Sequence, residues 1–586
     1  MAILSKTSIH INGNKLSYYN SCQLHQTIGE HHSMELHCFL KTIQKFCEAN
    51  NHDIEDILGT IITIETISYE KKDTYGTLKF KGIITGLNYN KGLHASNGDN
   101  VVIMANSPTV IASDGPHYMS YNNMSFIDII KDNFKNYDTS KLKINTENSN
   151  LTDPITYTVQ YNESCFAFAQ RMASRNGEWL FYNGEELVFG IPKNSDDLEL
   201  ILGRDLHDFN TSLTPIPQNF NYFTNDYLVN DVHEIASSSV QSSKKGNFSQ
   251  INENSKEIYT NPTRVWVNIP DDGNTRNRID NYVKLQQTAI QTNQIQVSGS
   301  SDNPGVSIGN SIKISQSTYR VTKVSHSLSN NGLYENSFEA TSTNIDAYPK
   351  TNINAFPIAQ SQMAKVIENH DPDGMGRIKV QFSWQRQDGL TTPWIRCISP
   401  SASRGQGFFF IPEIEDEVLI DFEGGNAEIP YSVGGVYNSN TAPPSGSKDP
   451  DNCIKMIKSG ESIIEINGCN GSIKLQDKAG SMILLDGEGN ILISAVEQFN
   501  IDCKVGFFDA RETLNVGSPD TTIAGDSSLW LTSNTELKAD GGTATLEAKT
   551  GKAELKGITA EVNATTNAKV NGTAMTEIKG GQVKLN

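Results

Sequence analysis

Six of the chain's 12 histidines fall in its first 52 residues: His10, His25, His31, His32, His37 and His52. Cys22 stands three residues before His25, and Cys38 follows His37 directly. Thiolates and imidazoles at such spacings are what a zinc site uses. Adjacent residues on a strand point to opposite faces, however, which separates His37 from Cys38. The block from Gly29 to Leu36 reads as an ordinary strand, so no metal site is expected. Asp371-Pro372-Asp373-Gly374 opens like a calcium loop, yet the later oxygen ligands and the closing glutamate are missing. It is read as a tight turn. The run Glu413-Ile414-Glu415-Asp416-Glu417 offers paired carboxylates of the kind that hydrolyse glycosides, and is read as a solvated turn. No nucleophile elbow, phosphate loop or dinucleotide fingerprint occurs. The expectation is no catalytic, cofactor-binding or metal-ligating residue.

Composition narrows the classes further. The chain has 586 residues, which suggests about four domains. Its charge is 48 − 67 = −19. That balance argues against duplex nucleic acid as a partner and against docking on an anionic membrane, since both need clustered Lys and Arg. No signal-peptide pattern and no apolar run of bilayer length is seen, so a protein made in the cytoplasm is expected. The 8 cysteines are scattered without a CxxC pair, which fits free thiols in a reducing compartment.

The elements that must position these residues are mostly strands, because period-two alternation dominates. Thr60–Glu65 and Leu78–Ile84 are examples. Two helices interrupt. One covers 125–134 with Phe126, Ile129, Ile130 and Phe134 on a stripe; the other runs from Ser164 to about Arg175 and stops at Gly177. Residues 237–257 are polar and read as a mobile loop, followed by more strands to about residue 345.

From Ala364 to Tyr437 several short strands crowd into about 75 residues, as in a five-stranded OB-like barrel. Arg377–Phe382, Trp394–Ile398 and Glu417–Phe422 are three of them, and turn residues at Asp373-Gly374 and Gly424-Gly425-Asn426 separate strands. Ala442-Pro443-Pro444-Ser445-Gly446-Ser447 reads as a linker.

Past the linker, large aliphatics recur at Leu531, Leu537, Leu546, Leu555, Val562, Val570, Ile578 and Leu585, a loose period near eight. Alanines flank several of them two positions away, and Thr, Glu, Lys and Asn fill the rest. A recurring short strand unit suggests a solenoid or needle. One large and two small apolar groups per unit cannot offset backbone ordering at roughly 1–2 kcal/mol per residue. Three identical copies wrapped around one axis would supply the missing core and remove the exposed edges. The trimer core would consist of Leu546, Leu555, Val562, Val570 and Ile578.

Much of the chain resembles the VgrG spike proteins of type VI secretion systems, and through them the hub and puncturing proteins of contractile phage tails. The motifs are Gly82-Ile83-Ile84-Thr85-Gly86-Leu87, the block Tyr157–Ser164 followed by Phe168, Arg171, Met172, Gly177 and Trp179–Tyr182, and above all the barrel series. That series runs Asp371–Phe382, Trp394–Arg396, Gly405–Phe408, Ile411–Ile414, Glu417–Phe422 and Gly434–Asn438. The resemblance implies a mainly β protein: a tail hub-like region at 1–350 with two β-barrel subdomains and helical insertions, an OB-fold domain at 355–441, a linker at 442–452, and a triple-stranded, trimeric β-helix needle at 453–586. It implies a homotrimer that punctures the target envelope and meets inner-tube (Hcp-like) and baseplate proteins, effectors and a PAAR-type tip protein, with no nucleic acid and no cofactor. The tip protein would dock on Val583, Leu585 and Asn586. Such proteins are cytoplasmic when assembled, and are then secreted or injected without a signal peptide.

Departures from the family pattern matter as well. No lysozyme-sized insertion separates barrel from repeats, and no toxin domain follows them within this sequence. The other readings are the spike of a phage tail or extracellular contractile particle, a trimeric carbohydrate-binding adhesin, and a β-helical polysaccharide lyase or hydrolase. The last fits worst, because residues 531–586 hold no aromatic and no Arg for a sugar groove.

Overall fold

A computed structural model describes residues 5–69, 75–90, 99–191, 198–240, 247–270, 272–444 and 448–585. The chain forms two compact units, Met1–Lys458 with Ile466–Cys469, and Ser459–Glu465 with Asn470–Asn586.

In the first unit, strands from both ends of the hub region share one thirteen-stranded sheet. Strand Ser21–Thr27 pairs on one side with Ser33–Phe39 and on the other with Ser317–Ser329, both antiparallel. The strands that the sequence assigns to two barrels are thus hydrogen-bonded into one continuous sheet. Its buried face is supplied by every second residue, as in Cys22, Leu24 and Gln26 of one strand and Met34, Leu36 and Cys38 of the next. Both expected helices form, at Phe126–Asn133 and Cys165–Asn176. Ser125 and Ser164 cap them by accepting the Asp128 and Ala167 amides at 3.2 Å each. Gly177 ends the second at φ +64°, a conformation that costs a side chain but not glycine.

Three further helices were not foreseen. Leu40–Ala49 lies in the stretch read as strands. Asn247–Ile258 replaces part of the loop expected at 237–257, with Ile251 buried against Ile295; residues 241–246 of that loop lie outside the described residues. Thr275–Asn293 buries Ile279, Tyr282 and Val283, but also Thr275, Gln287, Gln291 and Thr292. Polar side chains on its inner face broke the apolar stripe on which a sequence reading depends. The cysteine expectation is corrected too: Cys453 and Cys469 form a disulfide, with Cα atoms 5.3 Å apart. Six others are free thiols, four of them buried.

The barrel closes as a ring. Gln362–Glu368 pairs with Lys379–Phe382 and with Glu417–Phe422, which pairs with Pro430–Gly435. The segment around Ile395 completes it through an antiparallel bridge, Ile378 to Ile395, and a parallel one, Cys397 to Ser432. Only single bridges, not a full strand, form at 394–398. Val366, Ile378, Val380, Phe382, Ile395, Val418, Ile420 and Phe422 fill the interior. Tyr157 and Val159, from hub strand Pro154–Glu163, belong to the same core.

Hub and barrel are also joined by charge. Arg171 and Arg175 lie one helical turn apart, so both guanidiniums leave the same face of Cys165–Asn176. They meet Glu428, whose side chain is 1% exposed. Arg175 Nη1 donates to Glu428 Oε2, and Arg171 Nη1 lies 3.5 Å from Oε1. Thr158 Oγ1 donates to Oε1 at 2.6 Å. Arg171 also holds Glu163 at 2.7 Å and the Val159 carbonyl at 2.6 Å. Burial alone would raise the Glu428 carboxyl, but the facing Arg175 and Arg171 overcome it and hold it below the ordinary carboxylate range.

In the second unit, Ile473–Gln476, Met482–Leu485 and Ile491–Ser494 form an antiparallel meander. Beyond it, no strand is assigned among the described residues.

Replacing Glu428 with Ala leaves two buried cations without their shared partner, and is expected to cost about 3–5 kcal/mol. The midpoint of urea unfolding, followed by fluorescence, should fall accordingly. The contribution belongs to neutral pH: it is present above the ordinary Glu value of 4.5 and lost as acid protonates the carboxylate. An unchanged midpoint in Glu428→Ala would show that the joint is held by apolar packing alone.

Candidate functional site

The residues that invited chemistry are placed in structural roles. Cys22 and Cys38 face the core, where burial pushes both thiols up, Cys38 to about 12. His25 lies on the opposite face of its strand and meets Ser325 at 2.9 Å. The zinc-like set therefore does not converge, as strand alternation requires. His31 stacks on Phe166 with ring centroids 4.1 Å apart and meets Thr109 at 2.7 Å. His32 and His326 are fully buried, and Gln26 bridges them: its Nε2 meets His32 Nδ1 at 3.1 Å and its Oε1 meets His326 Nε2 at 3.0 Å. Burial lowers both imidazoles to about 3, so they are neutral.

Asp371 is consumed by its own turn. Its carboxylate accepts from Arg377 Nη2 at 2.7 Å and Nε at 2.9 Å, and from the amides of Asp373 and Met375 at 3.0 Å each. The Arg377 hydrogen bonds hold the carboxyl far below its ordinary range. The run Glu413–Glu417 is a surface turn in which Asp416 accepts the Glu413 amide at 2.9 Å.

What stands out is the repeat region. Bends recur at 496–497, 504–505, 511–512, 519–520, 526–527, 534–535, 541–542, 549–551, 558–559, 565–566, 573–574 and 581–582, with short segments of no assigned secondary structure between them. The large aliphatics keep a fixed phase to these bends. Leu546, Leu555, Val562, Val570, Ile578 and Leu585 each stand three or four residues past one. Ile501, Phe508, Val516, Ile523 and Leu531 keep the same phase, so the bends continue upstream of Leu531. Ala539 holds the position in the one unit where Leu537 is displaced. Leu546, Leu555, Val562, Val570 and Ile578 are 64–81% exposed in the single chain. Val583 and Leu585 are exposed as well, and Asn586 lies outside the described residues. These aliphatics form an exposed row at constant phase, on backbone with no strand ladder among the described residues.

The sequence reading missed Glu428. It sits in Asn426-Ala427-Glu428-Ile429-Pro430, an ordinary turn by composition, while its partners are 253 and 257 positions upstream. Only Arg171 carried a signal, through the motif it belongs to.

The model for the phage tail baseplate hub matches residues 26–332, more than half of the chain. The chain belongs to the phage tail baseplate hub family. A second model, the type VI secretion system/phage-baseplate injector OB domain, matches residues 362–437 and falls on the closed barrel. Among curated relatives, the type VI secretion system spike protein VgrG2a of Pseudomonas aeruginosa is 36% identical over 92 residues, 15% of this chain and 11% of that protein. VgrG1c of the same organism is 22% identical over 326 residues, 49% of this chain and 43% of that protein. The matched parts thus span less than half of either relative. The solved structure of the lidded Francisella PdpA-VgrG complex shares the fold of this baseplate hub protein at a TM-score of 0.52. That match has 10% identity and covers 84% of this chain and 80% of the other.

The paired neutral histidines give the hub a defined acid response. Both have folded values near 3, against 6.5 unperturbed, so the unfolded chain binds protons that the folded one refuses. Stability should be complete above pH 6.5 and fall as pH drops toward 3. Between pH 6.5 and 5, where most carboxylates stay ionised, His326→Gln should flatten the fall in urea midpoint. Equal slopes in variant and parent would mean that His326 takes up a proton in the folded hub.

Proposed function

We propose that this baseplate hub protein is the structural spike of a contractile injection machine of the type VI secretion kind. The observation that carries the reading is the fixed phase of exposed aliphatics along the repeats. In the spike, three copies wrap their repeats into one triple-stranded β-helical needle over 453–586, and the aliphatics form its thin core. Residues 1–350 form the hub, 355–441 the barrel domain, and 442–452 the linker. The mechanism is mechanical. Sheath contraction supplies force, the hub sits on the Hcp-like inner tube and baseplate, and the interlocked needle pierces the target envelope with its effectors. The chain itself is not an enzyme; its candidate carboxylates and histidines are engaged in turns and core contacts. A PAAR-type tip protein docks on Val583, Leu585 and Asn586. The protein is cytoplasmic when assembled, and leaves the cell by ejection.

Light scattering at micromolar concentration tests the assembly: the mass should be three times that of the chain, and a monomer would overturn the reading. Leu555→Asp or Val570→Asp places three charges in the needle core, at several kcal/mol each when unpaired. Either variant should lose the trimeric, protease-resistant needle, and trimers that melt with the parent would contradict the core assignment. Polar replacements of Val583 and Leu585 should weaken tip-protein binding, measured by calorimetry, while the trimer stays intact. Family membership covers phage tails as well as secretion systems, and the genes flanking this one distinguish the two.

A further inference from the structure

Within the first unit, a cleft of about 390 Å³ lies between the barrel and the three-stranded hub sheet of Phe220–Asp226, Asp231–Ala236 and Thr263–Trp266. Nothing in the spike role above uses it. Trp266 lines it and is 39% exposed. Its six-membered ring lies against Gly424, where an added Cβ would come within 3.0 Å of the ring. The indole is thus held at one edge and offers part of its surface to the cleft.

The rest of the lining is polar. The one basic residue among the described residues lining it, Arg396, is already engaged: its guanidinium lies 4.5 Å from the centre of the Tyr227 ring and donates to Glu423 at 3.0 Å. Asp226 and Asp231 add carboxylates, the former 3.2 Å from His233 Nε2. Asn268 is 7% exposed and donates through Nδ2 to the Glu423 carbonyl at 2.7 Å. Its Oδ1 is buried without a hydrogen-bond partner, an acceptor that is costly to leave unmatched.

These groups select a ligand class. An anion would meet carboxylates and find its only cation occupied. A hydrocarbon would strip water from the exposed Asp231 and the half-buried Glu423 without replacing its hydrogen bonds. A ring with one C–H face and a rim of hydroxyls satisfies both requirements: the face covers the indole, and the hydroxyls donate to the Asp231 and Glu423 carboxylates. We propose that this cleft binds a neutral pyranose sugar. The volume lies within the range of small-ligand sites.

The test uses the full chain and saturation-transfer NMR with methyl glucoside, methyl galactoside and N-acetylglucosamine at millimolar concentration, with arginine amide as a cationic comparison. At least one sugar should receive saturation. Trp266→Ala and Asp231→Asn should each weaken that binding by about fivefold or more. Asp231 is exposed, so its variant remains a test should Trp266→Ala unfold. Three outcomes would overturn the proposal: no transfer to any sugar, transfer unchanged in folded variants, or transfer to arginine amide alone.

Discussion

The hub and barrel depend on one buried cluster of charge. Two guanidiniums on one helix face can leave water only if a carboxylate meets them, and Glu428 arrives from the barrel to do so. Apolar contact between Tyr157, Val159 and the barrel interior is non-directional and would tolerate sliding. The ion cluster is directional and intolerant of error, because a displaced barrel would strand two cations in a low dielectric. Thr158 and the Val159 carbonyl belong to the strand that shares the barrel core, so polar and apolar contacts fix the same register.

Residue types that do chemistry elsewhere are spent on architecture here. Cys22 and Cys38 behave as small apolar groups, and His32 and His326 as neutral hydrogen-bonding plugs around Gln26. Asp371 organises the turn that launches a barrel strand by accepting from Arg377 and successive amides. Asp371 finds its partners within the fold, and Gln26 joins the two histidines, while His32 Nε2 is buried without a hydrogen-bond partner.

How far this was legible follows from the range of each interaction. Alternation and capping are local, so barrel strands such as Lys379–Phe382 and Glu417–Phe422 and the two helices capped by Ser125 and Ser164 could be read directly. The helix Thr275–Asn293 could not, because its buried face mixes Ile279 and Val283 with Gln287 and Thr292, whose partners are remote. Glu428 and its arginines are linked only through the fold. The Cys453–Cys469 disulfide departs from the free thiols expected: its sixteen-residue spacing resembles no short motif, and only the chain path brings the two together. The repeat was visible where large aliphatics recur. Upstream of Leu531 aromatics and other aliphatics crowd the same segments, and there the bends make the period plainer than the side chains do.

The bends also set how the molecule can change over evolution. Within the thirteen-stranded sheet, inserting one residue turns every following side chain of that strand onto the wrong face. In the repeats the phase is reset at each bend, every seven to nine residues, so a unit can be gained or lost without disturbing the next. The number of segments is therefore a countable property of this repeat region, adjustable one at a time, while the sheet and barrel stay under strict register.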